Sequence, residues 1–148
     1  MKKILILPDI HGRDFWIEPC SHYQEFDEII FLGDYLDPYS FEGITSTIAY
    51  NNFLEILDFA KSTNNVTMLI GNHDWHYFVF LDSCRIDKAR ERDIEKLFLE
   101  NLNLFRLTKT IELENCKYLF SHAGITKKWL DDIASMAKYE VEHWNPTS

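Results

Sequence analysis

Short apolar runs alternate along the chain with longer segments in which apolar residues recur at helical spacing. Runs at positions 3–7, 28–32 and 66–70 are rich in Ile, Leu, Val and Phe and predict buried strands. Residues 44–61 have the spacing of an amphipathic helix, and residues 13–26 predict a weaker helix that a proline interrupts. The resulting β-α-β-α-β order favours a parallel sheet with helices on its faces and ligand chemistry at the carboxyl ends of its strands.

The second half of the chain predicts a helix, a hairpin and another helix. Residues 87–102 form the first helical segment. Apolar and polar residues then alternate over 107–113, a turn is expected at 114–115, and a second strand runs through 117–120. An apolar stripe predicts the last helix, from 126 to about 141.

Composition is typical of a packed soluble protein. Of the 148 residues, 46% are hydrophobic and 15% are aromatic, so one domain spanning 1–148 is expected. The apolar run near the amino terminus stops at Pro8-Asp9, and no run reaches membrane-spanning length, so we expect a cytoplasmic protein with no membrane partner. Cys20, Cys84 and Cys116 lack the spacing of a zinc site or a disulfide framework and are expected to be reduced.

The charge balance argues against a nucleic-acid partner. The chain has 15 Lys and Arg against 24 Asp and Glu, a formal net charge of -9. Such a field repels polyphosphate backbones unless the site itself supplies cations. Bound divalent metal ions would reverse the sign of the field locally.

Side chains that bind metals or transfer protons follow each of the three predicted strands in the first half. The chain reads Asp-Ile-His-Gly after the first strand, Gly-Asp-Tyr-Leu-Asp after the second and Gly-Asn-His-Asp after the third. If the strands are parallel neighbours, these side chains converge on one edge of the sheet. The converging residues are Asp9, His11, Asp34, Asp37, Asn72, His73 and Asp74.

Each motif taken alone has a simpler interpretation. Gly-Asp after a strand is usually a turn with Gly at positive φ, and Asn-His-Asp could cap the next helix. Three such motifs, each placed directly after a strand, favour a shared site. A fourth motif, Ser-His-Ala-Gly at 121–124, ends the second hairpin strand and adds His122 between small residues.

The ordered motifs DIHG, GDYLD, GNHD and SHAG resemble those of the calcineurin-like metallophosphoesterases. The resemblance is strongest to the branch that contains the serine/threonine protein phosphatases and the small bacterial and phage phosphatases, and it covers residues 9–125. It implies an α/β fold, a two-sheet β-sandwich flanked by helices, with two divalent metal ions at the sheet ends. This chain would be a C-terminally truncated form of that fold, because the strands that follow the fourth motif in the family have no counterpart.

The resemblance also implies a set of metal ligands. Asp9 and His11 would hold the first ion, Asp34 would bridge both, and Asn72 and His122 would hold the second. A bridging carboxylate offsets the repulsion between two dications, and mixed Asp, His and Asn ligands suit Mn²⁺, which we expect first, or Fe or Zn. The ions would activate a water for attack on phosphorus.

Two further roles follow from the same resemblance. His73 would donate a proton to the leaving alkoxide, and Asp37 would orient it, since a neighbouring carboxylate fixes the tautomer of an imidazole. Asp74 is expected to support the loop. His22 and His76 fall on helical or aromatic stretches, and a structural role is expected for both.

Two features depart from the family pattern. Where the protein phosphatases have Asp-Arg-Gly, Asp37 is followed by Pro38-Tyr39, which removes the arginine that clamps the phosphate; Arg13 is the expected substitute for substrate binding. The family's further Gly-His segment, which supplies a ligand to the second metal, also has no counterpart. His143 lacks its small-residue context and is not expected to bind metal.

Three functional hypotheses follow. The first is a metal-dependent phosphoesterase that hydrolyses monoesters of a phosphorylated protein or small molecule, which the His73-Asp37 pair favours. The second is a metal-binding but catalytically incomplete module or fragment, which the missing ligand segment favours. The third is a nuclease or phosphodiesterase, which the acidic charge opposes. Because the truncated fold would leave a sheet edge uncovered, a homodimer or a second chain that completes the fold is an expected partner.

Overall fold

Four parallel strands form the sheet that carries the predicted site. The computed structural model describes residues 2–79, 84–124, 126–128 and 131. The strands are β1 (Ile4–Leu7), β2 (Glu28–Phe31), β3 (Val66–Leu69) and β4 (Phe105–Arg106), in the order β1-β2-β3-β4. The first three confirm the predicted strands and their parallel arrangement. The pattern does not predict β4, because a strand of two residues carries no periodicity.

The register of the sheet aligns the carboxyl ends of its strands. Leu7 pairs with Phe31, Phe31 pairs with Met68, and Met68 pairs with Phe105. The central strands are buried on both faces, which explains why they read as continuous apolar runs. The loops that follow β1, β2 and β3 therefore leave from the same edge.

The two helical segments before β3 have the predicted types. The weak segment contains α1 (Ile17–Ser21) and a 3₁₀ turn at Tyr23–Glu25. Helix α2 (Ser46–Ser62) confirms the predicted helix with ends shifted by one to two residues. It begins where the Thr45 side chain accepts the N–H of Ile48 over 3.2 Å, because such a cap satisfies one of the free donors of the first turn.

Helix α3 (Asn72–Val79) begins inside the Gly-Asn-His-Asp motif. The alternative interpretation, that this motif marks the start of a helix, is therefore correct. The start of a helix can also be part of a metal or substrate site, so the two interpretations are compatible. Helix α4 (Glu91–Glu100) lies inside the predicted 87–102 segment, shortened at both ends. It buries Ile94 and Phe98, and Phe98 packs against aromatic side chains of α2, α3 and β4.

A β-hairpin packs on the face of the parallel sheet opposite to the one that helix α2 covers. Strands β5 (Thr108–Leu113) and β6 (Cys116–Ser121) are antiparallel, which confirms the predicted hairpin. The turn residues Glu114 and Asn115 both have positive φ, 47° and 70°, as a two-residue hairpin turn of type I′ requires. Ile111 of β5 is buried against Ile30 and Leu69 of the parallel sheet.

The two packed sheets agree with the expected α/β sandwich flanked by helices. Among the described residues, the second sheet has only these two strands, and β6 exposes Tyr118 and Leu119. The expected homodimer or second chain stays a prediction. The predicted helix at 126–141 lies almost entirely outside the described residues, as does His143.

Two smaller expectations concern the cysteines and membranes. Cys20, Cys84 and Cys116 are free thiols, and Cys20 is buried. Burial raises the pKa of the Cys20 thiol to about 11, so it stays protonated near neutral pH.

Within the described part of the chain, no helix has the length and apolar character needed to cross a membrane.

Candidate metal centre and active site

The loops after β1 and β2 are joined by backbone hydrogen bonds directly beyond the strands. The N–H of His11 donates to the Asp34 carbonyl over 2.6 Å, and the N–H of Gly12 donates to the Tyr35 carbonyl over 3.0 Å. This pairing continues the β1-β2 contact past the sheet and holds the Asp9 and Asp34 motifs side by side.

Three residues with candidate chemical roles have left-handed backbones. The φ angles are 46° at His11, 54° at Asp34 and 59° at Asp37. A left-handed conformation costs an L-residue roughly 1–2 kcal/mol, although Asp and His tolerate it better than most residues do. Residues held in this way concentrate at functional sites, where the surrounding structure maintains them.

The first group of predicted metal ligands is Asp9, His11 and Asp34. One donor atom from each lies within 4.8 Å of the others. His11 Nδ1 lies 2.8 Å from the Leu36 carbonyl, which can only accept, so Nδ1 carries the proton and Nε2 has a free lone pair. That Nε2 is 3.5 Å from Asp34 Oδ2. Burial lowers the pKa of His11, which favours the neutral form that binds metals.

The second group is Asp34, Asn72 and His122. His122 Nδ1 lies 3.0 Å from the Leu32 carbonyl, which can only accept, so Nδ1 carries the proton and Nε2 has a free lone pair. His122 Nε2 lies 3.0 Å from Asn72 Oδ1 and 3.5 Å from Asp34 Oδ2. Asp34 Oδ2 is thus equally far from the imidazole nitrogens of the two groups, as a carboxylate that bridges two ions would be.

The donor atoms of both groups fit a divalent cation. The imidazole Nε2 atoms and the carboxylate of Asp34 have no proton to share in this arrangement, so they repel one another unless a cation lies among them. Ligand atoms on one cation with bonds of about 2.1 Å lie about 3 Å apart, close to the separations observed here. Nitrogen and oxygen donors suit Mn²⁺, Fe or Zn.

Asp74 links the loops after β2 and β3 from beneath the ligands. Its Oδ2 accepts the N–H groups of Asp34 and Gly71 over 2.7 and 2.8 Å, and its Oδ1 accepts the N–H of Tyr35 over 3.0 Å. Burial, together with the charge of Asp34, raises the pKa of Asp74 to about 8. A cation on Asp34 would relieve that repulsion. Asp74 therefore has the supporting role expected from the sequence.

Gly71 has a different role from the one its place in a turn suggested. A glycine directly after a strand often allows the backbone to turn through a positive φ, but the φ of Gly71 is not positive. A Cβ at position 71 would instead collide with the Asp34 carboxylate and lie 2.6 Å from the Asp34 nitrogen. Gly71 is needed because the backbone after β3 passes directly against Asp34. The positive φ expected in the Gly-Asp motif is found at Gly33, at 114°.

We predict that Asp74→Asn lowers the free energy of unfolding by about 3 kcal/mol. An asparagine offers one acceptor oxygen, whereas the Asp74 carboxyl group has two oxygens that accept N–H groups whether it is ionised or protonated, and the asparagine NH₂ group would face a buried N–H donor. Urea unfolding in EDTA measures the change without a contribution from bound metal. Asp14→Asn, at an exposed position, is the control and should change stability by less than about 0.5 kcal/mol. A wild-type midpoint for Asp74→Asn would contradict the supporting role.

His73 is oriented by Asp37, and Asp37 is held by Tyr77. His73 Nδ1 lies 2.9 Å from Asp37 Oδ2, and the Tyr77 hydroxyl donates to Asp37 Oδ1 over 2.5 Å. Burial raises the pKa of Tyr77 and the charge of Asp37 raises it further, so the phenol remains a donor. Because the carboxylate only accepts, His73 Nδ1 carries a proton and Nε2 faces the ligand cluster. The His73 and His11 ring centroids are 5.2 Å apart.

Arg13 lies at the rim of the cluster and is already paired. Its Nη1 donates to the Asp9 carbonyl over 3.2 Å, while Nε and Nη2 donate to Glu42 Oε1 over 3.1 and 2.7 Å. Glu42 thus occupies the face of the guanidinium that a phosphate would need. Substrate binding by Arg13 stays a prediction.

Arg85 is the site residue that the sequence reasoning missed. Its Nη2 lies 2.8 Å from His73 Nε2, and its guanidinium stacks 3.7 Å from the centre of the Tyr39 ring. It follows His73 by twelve residues and belongs to none of the four motifs. No local pattern could have identified it, because its place depends on how the chain returns after α3.

The comparison with family models is decisive for the family. The model of the calcineurin-like phosphoesterases matches residues 2–147, nearly the whole chain. The chain belongs to the calcineurin-like phosphoesterase family. The resemblance read from the four motifs is confirmed, and the family is one of hydrolases that act on phosphoester bonds.

Curated relatives in this phosphoesterase family include symmetrical bis(5'-nucleosyl)-tetraphosphatases. The protein from Pectobacterium carotovorum subsp. carotovorum (strain PC1) is 30% identical over 95 residues, which is 60% of this chain and 34% of the relative. The protein from Erwinia tasmaniensis is 30% identical over 99 residues, 60% of this chain and 35% of the relative. The chain thus spans about a third of the length of these relatives in the match.

A cavity of about 560 Å³ adjoins the second ligand group of this phosphoesterase. Its wall includes Asn72 and His122 together with the half-exposed apolar side chains of Trp75 and Leu107. His76, for which a structural role was expected, also lines it. His22 is exposed and lies 4.0 Å from Glu25, away from the ligands.

Proposed function

We propose that this chain is a metal-dependent hydrolase of phosphoester bonds. The observation that carries the proposal is the position of the Asp34 carboxylate, 3.5 Å from the Nε2 atoms of both His11 and His122. Beside it, His73 is already hydrogen-bonded to Asp37, as a proton donor should be. The proposed cation ligands and the proposed proton donor, His73, therefore lie at the same edge of the sheet.

The chain's own residues have separate tasks in this proposal. Divalent ions held by Asp9, His11, Asp34, Asn72 and His122 would polarise the phosphoryl group and acidify a water. With its Nδ1 committed to Asp37, His73 in its protonated form would donate the Nε2 proton to the leaving oxygen. Tyr77 keeps Asp37 in place through its 2.5 Å hydrogen bond.

The first candidate substrate class is a phosphomonoester of a protein or a small molecule. A monoester presents one terminal phosphoryl group, and the cluster has one oriented proton donor for its leaving group. Asp9 and Asn72 are exposed, so such a group can reach the ligands from solvent. The acidic chain, with its formal charge of -9, still disfavours nucleic acid.

A dinucleoside polyphosphate is the second candidate class. The relatives from Pectobacterium and Erwinia are named as bis(5'-nucleosyl)-tetraphosphatases. In this chain, the cavity beside Asn72 and His122 has the apolar side chains of Trp75 and Leu107 on its wall. An aromatic ring such as a nucleobase stacks well on an exposed indole, so the cavity favours a nucleoside as part of the substrate.

We expect the Mn²⁺-loaded chain to hydrolyse at least one of two probes, 4-nitrophenyl phosphate and diadenosine tetraphosphate. Release of orthophosphate or of nucleoside diphosphate, each followed by chromatography, distinguishes the two classes, and Fe²⁺ and Zn²⁺ are compared with Mn²⁺. Activity should be lost on chelation and restored by metal. Metal bound at full occupancy without turnover of either probe would contradict the proposal and support the catalytically incomplete module.

A further inference from the structure

The guanidinium of Arg85 is incompletely satisfied beside the candidate active site. Its Nη2 has His73 Nε2 as a partner at 2.8 Å, but its Nη1 is shielded from solvent and has no hydrogen-bond partner. Among the described residues, no carboxylate forms an ion pair with it. An N–H group that is shielded from water without a hydrogen-bond partner is costly, so the unpartnered Nη1 calls for an explanation.

The neighbours of Arg85 hold it in a fixed orientation toward the ligand cluster. The Tyr39 ring lies under the guanidinium at 3.7 Å, and the edge of the same ring contacts His11, with centroids 5.0 Å apart. Stacking on an aromatic face leaves the N–H groups at the edge of the guanidinium available in its own plane. Tyr39 is thus a platform that presents Arg85 to the space between His11 and His73.

Among the described residues, two arginines lie at this site, Arg85 and Arg13, and they differ in their hydrogen-bond partners. Arg13 has two of its nitrogens bonded to Glu42 Oε1. Arg85 has a neutral imidazole nitrogen as its observed hydrogen-bond partner, which a phosphate oxygen would replace with a stronger, charge-assisted bond. A phosphate of the substrate would therefore supply the anion that Arg85 does not find among the described residues.

We propose that Arg85 binds the phosphate oxygens of the substrate, in place of the arginine that is absent after Asp37. The inference rests on the proposed phosphoester hydrolysis and names the residue that recognises the phosphoryl group. On binding, Nη2 leaves His73 Nε2 for a phosphate oxygen and Nη1 gains a partner. His73 Nε2, no longer bonded to Arg85, is then free to take up a proton from water and to donate it to the leaving oxygen.

The test compares Arg85→Ala and Arg85→Lys with wild type in the Mn²⁺-loaded 148-residue chain. Calorimetry with inorganic phosphate should give a dissociation constant about 10–100-fold higher for Arg85→Ala than for wild type. Arg85→Lys should give an intermediate value, because lysine keeps the positive charge but cannot form the bidentate contact of a guanidinium. KM should rise by a similar factor while kcat changes less, because a phosphate contact is made before and during the reaction. Added guanidinium should partly restore binding by Arg85→Ala.

The matched control is Arg92→Ala, which removes the same charge from an exposed position on α4. It should bind phosphate within twofold of wild type and gain nothing from guanidinium. Unchanged phosphate affinity in Arg85→Ala would overturn the proposal, as would a lowered melting temperature with no change in affinity. Wild-type chain that binds phosphate but hydrolyses neither probe would refute the proposed function alone, since the affinity comparison still tests Arg85.

Discussion

Asp34→Asn should abolish metal-dependent turnover, with a loss of kcat/KM of about 10³-fold or more. The substitution keeps the shape of the side chain and an oxygen that can accept the N–H of His73, which Asp34 Oδ1 now accepts over 2.8 Å. It removes the negative charge that faces both imidazoles at 3.5 Å. Loss of several kcal/mol of stabilisation by a shared cation corresponds to that factor, at about 1.4 kcal/mol for each tenfold.

The stability of the same variant separates a metal ligand from a structural residue. In EDTA, Asp34→Asn should melt no lower than wild type, because it removes a carboxylate that repels buried Asp74. On addition of Mn²⁺, wild type should gain stability by mass action, and the variant should gain much less. Metal content by mass spectrometry after desalting gives a third measurement.

Asp58→Asn on the exposed side of α2 is the control, and it should match wild type in all three measurements. A wild-type metal content in Asp34→Asn, with kcat/KM within tenfold of wild type, would show that the cations are held without this carboxylate. Loss of stability in EDTA would instead assign Asp34 a role in folding.

The placement of the ligands was predictable from the sequence because it depends on strand order. Each strand in the first half is a short apolar run, and parallel neighbours bring the residues that follow them to one edge. Asp9, His11 and Asp34 therefore meet for reasons that are visible in the spacing. His122 joins them because β6 ends against Leu32, a contact that needs the hairpin to pack on the correct face.

The local backbone at these residues could not be predicted from the same pattern. The left-handed conformations of His11, Asp34 and Asp37 are maintained by partners elsewhere, such as the N–H groups of residues 34 and 35 on the Asp74 carboxylate. Propensity alone would place glycine at such positions. The requirement for Gly71 is likewise one of space against Asp34, which no turn rule expresses.

Long-range contacts explain the remaining differences. Arg85 contacts His73 across twelve positions of sequence and belongs to none of the four motifs. The short strand β4 exists because Met68 and Leu69 of β3 offer it an edge. Both features depend on tertiary packing, and neither has a repeating pattern of its own.

His73→Asn should have an effect that depends on the leaving group of the substrate. A general acid contributes about 10²–10⁴-fold when the leaving oxygen needs a proton. An alkoxide or simple phenolate needs one, whereas an acidic nitrophenolate leaves as the anion. We therefore expect a loss in kcat of this size for phenyl or alkyl phosphates and a much smaller loss for 2,4-dinitrophenyl phosphate. Steady-state kinetics over a series of aryl phosphates measures the difference.

Asp37→Asn should show the same dependence with a smaller loss, because Asp37 acts through its 2.9 Å contact with His73 and not on the substrate. His22→Asn, at an exposed histidine next to Glu25, is the control and should leave every substrate unaffected. Metal content should stay at the wild-type value in all three variants, since His73 lies beside the ligands without belonging to either group. An equal loss for good and poor leaving groups, together with loss of metal, would make His73 a ligand and remove it as the proton donor.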